Sequence, residues 1–141
     1  MNVQSSKSAA VRLVNDIFNS GDMRAFDELF ATEYVNHTMP IPGVPGNKEG
    51  FRQLVLATRE AFPDVHVEIQ QTVAENDLVV FHDRVHATSQ GAFMGVPANG
   101  KRLEWTETHM LRVRGEQIVE HWANFDQLGI LQQLGALNSS A

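Results

Sequence analysis

The sequence contains no cysteine among its 141 residues. This absence excludes structural disulfides, catalytic thiolates and metal sites built on cysteine. Any chemistry that the chain performs must therefore use carboxylates, imidazoles, hydroxyls or amides. Six histidines and 17 acidic residues are available for it.

Long apolar runs and an excess of positive charge are also missing. No stretch approaches the ~18 consecutive apolar residues that a transmembrane helix needs, and the N-terminal segment lacks the apolar core of a signal peptide. The formal net charge is −6, which disfavours nonspecific binding to nucleic acid or to an anionic membrane surface. We therefore expect a cytoplasmic protein that binds neither nucleic acid nor membrane.

Nucleotide and metal signatures are absent as well. The sequence has no GxGxxG before a helix, no GxxxxGK[ST] and no GxSxG, which are the motifs for dinucleotides, phosphates and a nucleophilic serine. His82 and His86 are four residues apart, but they fall on a predicted strand, where that spacing separates them by ~13 Å. We expect no metal site and no cofactor.

The length of the chain fits a single domain spanning residues 1–141, and the first half of it predicts three helices. Apolar residues recur at helical spacing from Ala10 to Phe18, from Met23 to Phe30 and from Phe51 to Phe62. Gly21 can end the first helix and Asp22 can cap the second. Pro63 ends the third.

The second half alternates apolar and polar residues with the period of two that is typical of strands. Strands are predicted at 65–73, 78–88, 103–113 and 117–125, with turns at 75–77 and 114–116. Between the second and third helices, residues 34–38 favour a short strand, and MPIPGVPG (39–46) is a loop stiffened by proline. Helices followed by a meander of long strands indicate an α+β fold, in which a strongly curved sheet around a helix would enclose a cavity.

The predicted strand at 103–113 carries ionisable residues on an otherwise apolar face. Its alternation places Trp105, Glu107 and His109 on the face that should point inward. Burying either ionisable side chain without a partner would cost several kcal/mol. We therefore expect Glu107 and His109 each to be paired inside the fold.

The last strand supplies the second half of the candidate site. Strict alternation places these residues on one face: Ile118, Glu120, Trp122, Asn124 and Asp126. A hairpin about Gly115 would bring Asn124 near His109, and Asp126 near Glu107. A register slip of one residue would exchange the two faces of the strand.

Non-catalytic roles remain open for the same residues. His109 can be a paired core histidine, and Asp126 can cap the helix predicted at 127–134. His121 is expected at the surface. Asp83 lies on a strand without a clear inner face and is assigned no role.

With these residues in place, nearly the whole chain resembles the SnoaL-like polyketide cyclases of the NTF2-like superfamily. The segments that carry the resemblance are YVNHT (34–38), GAFMGVPANGKRLEW (91–105), ETHMLRVRGEQIVEHW (107–122) and DQLGILQQLG (126–135). The resemblance implies an NTF2-like cone. In it, three N-terminal helices pack on a strongly curved antiparallel or mixed sheet that encloses a pocket.

The resemblance also implies an activity, an intramolecular aldol condensation on an aromatic polyketide ester without metal or cofactor. Asp126 would be the acid/base, and His109 would assist at the carbonyl. The implied substrate-binding positions are Asn36, Glu107, Trp105, Trp122, Asn124, His37 and Phe93. Glu107 departs from the neutral amide expected in the cyclases, and a second carboxylate near His109 favours imidazolium. This departure puts the substrate in question.

Two functions from different classes follow from these observations. The first is an enzyme that performs general acid/base chemistry on a hydrophobic carbonyl compound. The second is a non-catalytic protein that binds a small hydrophobic molecule. Asp126 and His109 favour the enzyme, because buried charge weakens an apolar binding site. Two other activities fit less well. Epoxide hydrolysis needs an Asp-Arg-Asp set, and Asp83 and Arg84 would face opposite sides of their strand. Ketosteroid isomerisation needs an inward tyrosine as oxyanion donor, and Tyr34 is the only tyrosine. The resemblance further implies a homodimer or homotetramer.

Overall fold

The computed structural model describes residues 3–137, which fold into helices packed on one open sheet. The helices are α1 (Val3–Arg12), which continues as a π-helical segment (Leu13–Asn19), α2 (Met23–Leu29), α3 (Lys48–Ala61) and α4 (Gln127–Gln133). The strands are β1 (Phe30–Asn36), β2 (His66–Glu75), β3 (Leu78–Thr88), β4 (Arg102–Arg114) and β5 (Gln117–Phe125). The predicted α+β class is confirmed, and the predicted strands at 78–88 and 117–125 have the observed bounds.

The ends of the first three helices follow from local chemistry. Gly21 adopts a φ of +69°, and its N–H bonds to the Ile17 carbonyl at 2.9 Å, which closes the π-helical segment. The Asp22 side chain accepts hydrogen bonds from two N–H groups at the start of α2, and Asn47 does the same for Gly50 in α3. These caps satisfy backbone donors that a helix leaves without partners.

The sheet has the strand order β1-β5-β4-β3-β2. Strands β2 to β5 form an antiparallel meander, and β1 pairs with β5 in parallel. The sheet is therefore mixed, and β1 and β2 are its free edges. Within residues 3–137, no helix is long and apolar enough to cross a membrane.

The core lies between the helices and the concave face of the sheet. Phe26, Phe30, Phe51 and Tyr34 form a cluster of rings whose centroids lie 4.6–6.2 Å apart. All four side chains are almost completely buried. Aromatic residues bury large apolar areas, so this cluster fixes the helices and β1 against the sheet.

A β-bulge at Val119 changes which side chains of β5 face the core. Val113 pairs with Ile118, but Arg112 pairs with Glu120, so Val119 has no partner in the ladder. An extra residue of this kind reverses the alternation beyond it. The prediction that Trp122, Asn124 and Asp126 share the inner face with Ile118 is therefore wrong.

Candidate functional site

A cavity of about 80 Å³ lies between the helices and the concave face of the sheet. Most of its wall is apolar and comes from α3, β4, β5 and two loops. Phe18 of the π-helical segment, Val67 of β2 and Val85 of β3 complete it. The polar side chains in the wall are Asn36, Thr38, Thr58, Glu107, His109 and His121. A few polar groups in an apolar cavity are typical of sites for small molecules.

Four side chains form a hydrogen-bonded chain that begins at the cavity and ends in the core. Glu107 Oε1 lies 2.8 Å from His109 Nε2, and His109 Nδ1 lies 2.9 Å from His121 Nε2. His121 Nδ1 lies 2.8 Å from the hydroxyl of Tyr34. Both nitrogens of both imidazoles are therefore engaged by protein groups.

The fold brings these four residues together from three strands. Glu107 and His109 are two residues apart on the inner face of β4, and the bulge at Val119 turns His121 toward the same interior. Tyr34 reaches His121 from β1, the strand next to β5. His109 is further held between rings, because Phe81 stacks on it with centroids 4.9 Å apart.

The two histidines differ in the charge that their surroundings favour. Burial lowers the pKa of His109, but its hydrogen bond to Glu107 and the charges of Glu107 and Asp83 outweigh burial and raise that pKa overall. Burial and the neighbouring His109 lower the pKa of His121 well below its ordinary value. Among these four hydrogen-bonded side chains, a positive charge therefore resides on His109, and His121 stays neutral.

Glu107 is the carboxylate that faces the cavity, with 19% of its side chain exposed. Its Oε2 accepts a hydrogen bond of 2.7 Å from Trp105 Nε1. Burial raises the pKa of Glu107, but the bonds from His109 and Trp105 and the charge of His109 outweigh burial and lower that pKa overall. Glu107 is thus held ionised beside His109.

Asp83 lies behind this pair and has no exposed surface. It sits on β3 directly opposite Glu107, and its Oδ2 is 3.6 Å from His109 Nε2. Neither carboxylate oxygen of Asp83 has a hydrogen-bond partner among the described residues. The charge of His109 and the backbone of Glu107 lower the pKa of Asp83, but two stronger effects oppose them. Burial, followed by the charge of Glu107, raises the pKa of Asp83 to about 7.

The carboxylates of Asp83 and Glu107 and the imidazole of His109 could together hold a metal ion. One ligand atom from each lies within 4.8 Å of the others. Nitrogen and carboxylate oxygen ligands suit divalent transition metals and zinc. Neither the absence of cysteine nor the spacing of histidines along the chain reveals this group, because the strand pairing creates it.

Five of the predicted site residues line the cavity. They are Asn36, Phe93, Trp105, Glu107 and His109. Trp105 and His109 are nearly buried, as expected for the inner face of β4. The expectation that Glu107 and His109 would each be paired is confirmed, since they pair with one another.

The other four predicted site residues lie outside the cavity wall. Asp126 is exposed and caps α4, where its Oδ1 accepts the Gly129 N–H at 2.9 Å. Trp122 lies on the outer side of β5 and stacks on the ring of His37, with centroids 4.8 Å apart. Asn124 is exposed on the same side. The bulge in β5 is the physical reason for all of these positions except that of His37.

Three residues of the site were not foreseen from the sequence. His121 was expected at the surface, but it is 1% exposed. Tyr34 was considered only as an oxyanion donor, and Asp83 was given no role. For Asp83 a signal existed, because Val79, Phe81, Val85 and Ala87 alternate around it with period two. For His121 no such signal existed, since the bulge is not visible in the residue pattern.

Comparison with known proteins relates this architecture to one family. The family model of the SnoaL-like polyketide cyclases matches residues 8–134. The nogalonic acid methyl ester cyclase of Streptomyces nogalater is 27% identical over 126 residues, which span 84% of this chain and 89% of that protein.

Solved structures agree with this relationship and extend it to the fold. IdmH of Streptomyces antibioticus, provisionally described as a polyketide cyclase, is 35% identical with a TM-score of 0.79, over 92% of this chain and 98% of that one. AclR of Streptomyces galilaeus, provisionally described as a hydroxylase, is 27% identical with a TM-score of 0.84, over 97% of this chain and 100% of that one. The expected NTF2-like arrangement of helices on a curved, open, mixed sheet is confirmed.

Proposed function

Because the chain belongs to the SnoaL-like polyketide cyclase family, we propose that it is a cyclase-like enzyme that works without a cofactor. Its substrate is a hydrophobic carbonyl compound, and its chemistry is general acid/base catalysis at a carbon next to a carbonyl. Glu107 is the base, and His109 is the group that holds it ionised and in place. The non-catalytic binding protein is the alternative.

One observation carries this proposal, namely that Glu107 is a cavity-facing carboxylate with free acceptor capacity. Each of its oxygens accepts one hydrogen bond from protein, at 2.8 Å from His109 and at 2.7 Å from Trp105. A carboxylate oxygen can accept two. Glu107 therefore retains lone pairs for a substrate proton, whereas both nitrogens of His109 are already engaged.

The proposed reaction neither consumes nor releases a proton overall. Glu107 takes a proton from the carbon between two carbonyl groups, and the resulting enolate attacks a second carbonyl of the same molecule. A carbon–carbon bond forms, the attacked oxygen becomes an alkoxide, and protonated Glu107 returns its proton to that oxygen. A base with a low pKa suffices only for an acidic C–H, so the substrate class is β-dicarbonyl or a similarly activated compound.

The role of Asp126, which the family resemblance assigns as acid/base, is open to the same experiment. Asp126 is exposed and bonded to Gly129 at the start of α4. Asp126 is not among the residues that line the cavity, so it would not contact a substrate bound there. The geometry therefore favours Glu107 over Asp126 as the base.

The size of the cavity bears on the substrate. A volume of about 80 Å³ is well below the ~300 Å³ at which pockets for drug-sized ligands begin. Pro40 and Phe93 contribute to the wall from two separate loops. A polycyclic substrate would thus require these two loops to move apart.

The test is hydrogen exchange at the activated carbon of small β-keto esters and hydroxyanthraquinone esters in D₂O, followed by NMR. The protein is kept in EDTA, and Glu107→Gln, Asp126→Asn and the unaltered chain are compared. We expect exchange to fall at least ~100-fold in Glu107→Gln, the lower range of a general-base contribution. Asp126→Asn should exchange at the rate of the unaltered chain.

Two outcomes would contradict the proposal in different ways. Exchange that survives in Glu107→Gln and is lost in Asp126→Asn would give the role of base to Asp126. Binding of the same compounds without exchange in any of the three proteins would support the non-catalytic alternative. A folded Glu107→Gln, judged by circular dichroism, is required for the first comparison.

A further inference from the structure

We propose that Asp83, Glu107 and His109 form a binding site for one divalent metal ion, with Zn²⁺ as the probe that defines it. Glu107 and His109 occur in the proposed function, but Asp83 does not, and no part of that function requires a metal. The proposal concerns binding alone. An ion held there would occupy the lone pairs of Glu107, so the enzymatic proposal applies to the metal-free protein, which is the form kept in EDTA for its test.

The distances among the three ligand groups fit a metal with little rearrangement. His109 Nε2 is 2.8 Å from Glu107 Oε1 and 3.6 Å from Asp83 Oδ2. Zinc binds such atoms at ~2.0–2.2 Å, so two ligands in a tetrahedral site lie ~3.3–3.5 Å apart. The two separations from His109 bracket this value, and all three ligand atoms lie within 4.8 Å of one another.

The carboxylate of Asp83 is the second and independent sign of a ligand. Its side chain has no exposed surface, and neither oxygen has a hydrogen-bond partner among the described residues. Buried polar groups in folded proteins are nearly always paired, and a buried carboxylate is costly without a counter-charge. His109 can supply at most one positive charge for the two carboxylates. A divalent ion between the three groups supplies the second charge and direct partners for the Asp83 oxygens.

The surroundings of His109 are also those of a metal-bound histidine. To bind a metal, its Nε2 must lose its proton, so that Nδ1 carries the remaining one. Nδ1–H then donates to His121 Nε2 at 2.9 Å, and His121 Nδ1–H donates to the Tyr34 oxygen at 2.8 Å. Metal-bound histidines regularly donate their second N–H in this way, which fixes the tautomer and the ring.

The electrostatics and the location of the group agree with a divalent ion. Two carboxylates balance two positive charges, and the described residues place no lysine or arginine within ion-pair distance of Asp83 or Glu107. Glu107 and His109 line the cavity, so a fourth position on the metal would face it. Binding releases the proton of His109 Nε2 to solvent, together with any proton that Asp83 holds.

The experiment measures metal binding to the full-length protein without substrate. Protein freed of metal with EDTA and desalted is titrated with Zn²⁺ by calorimetry, and with Co²⁺ by visible absorption, which reports nitrogen and oxygen ligation. We expect one ion per chain. Asp83→Asn and Glu107→Gln should each weaken binding by at least ~10-fold, since even a change in the outer shell costs that much.

Glu104→Gln is the matched control. Glu104 lies on the outer face of β4, and its Oε2 is 3.4 Å from His86 Nδ1, so it offers the same residue types without a second carboxylate. We expect the Glu104→Gln protein to bind Zn²⁺ with the same affinity as the unaltered chain. The substitution also tests whether surface histidines account for the signal.

The proposal is overturned if the unaltered chain takes up no ion, or if Asp83→Asn binds Zn²⁺ as tightly as the unaltered chain does. The second result would mean an adventitious surface site. Asp83→Asn removes an unpaired buried charge and should fold, and Glu107→Gln provides a second test if it does not. If the unaltered chain binds Zn²⁺ but catalyses no exchange at the α-carbon of any compound, only the enzymatic proposal is contradicted.

Discussion

The buried hydrogen bonds between Tyr34, His121 and His109 are the most informative contacts at the residue scale. All three side chains are at most 5% exposed, so each polar atom needs a partner within the protein. Tyr34 and His121 supply one another with that partner at 2.8 Å. A polar pair of this kind adds little net stability, but leaving one half unpaired is costly.

We therefore predict that Tyr34→Phe lowers the free energy of unfolding by about 1–3 kcal/mol, because His121 Nδ1 is left without a partner in the core. The ring and its contacts with Phe30 and Phe51 are retained. Denaturation with urea, monitored by tryptophan fluorescence, measures the change.

A control for this prediction exists on the outer face of the sheet. Thr108 and His82 form an exposed hydroxyl–imidazole hydrogen bond of 2.9 Å. Thr108→Val should change the free energy of unfolding by less than about 0.5 kcal/mol. Equal losses in Thr108→Val and Tyr34→Phe would show that burial does not decide the effect.

At the scale of elements, the junction between β5 and α4 determines what Asp126 does. The strand ends at Phe125, Asp126 has non-helical torsions, and its side chain accepts the Gly129 N–H. Gly129 fits here because a Cβ at that position would lie 2.2 Å from Asp126 Oδ2. The sequence DQLG thus contains a helix cap and the small residue that accommodates it.

For this cap we predict that Asp126→Ala lowers the free energy of unfolding by about 1 kcal/mol. Asp126→Asn should leave it nearly unchanged, because asparagine is an equally good N-cap. Thermal and urea denaturation of the two variants, side by side, provide the measurement. Similar losses in both variants would mean that the negative charge, rather than the cap, stabilises α4.

At the scale of the whole molecule, the open sheet leaves one face without helices. On that face Trp122 lies opposite Met110 across β4 and β5 and stacks on His37. We propose that this face joins copies of the chain into a homodimer or homotetramer, as the resemblance implies. A large aromatic side chain with an apolar neighbour on a mostly polar sheet face is a common anchor for such contacts.

Sedimentation equilibrium should therefore give the mass of two or four chains. We predict that Trp122→Lys reduces it to that of a single chain, because a lysine in the contact would be buried without a partner. Leu56→Lys, on an exposed part of α3, should leave the assembly intact. A single-chain mass for the unaltered protein would exclude this assembly.

The sequence by itself determined most of the elements, the cap of α2 and five residues of the cavity wall. Helical spacing, the capping residue Asp22 and the period of two in β4 are local signals, and the local geometry follows them. The inner face of β4, with Trp105, Glu107 and His109, followed for the same reason. Family membership also followed from the sequence, because each segment that carries the resemblance is a continuous stretch of residues.

Only the tertiary structure decided which residues meet. The bulge at Val119 inverts β5, which brings His121 inward and leaves Asp126 at the surface, and a bulge leaves no mark on apolar periodicity. The pairing of β3 with β4 places Asp83 behind Glu107, although 24 positions separate them in the sequence. The physical reason is that register and bulges depend on packing between strands, which no single strand encodes.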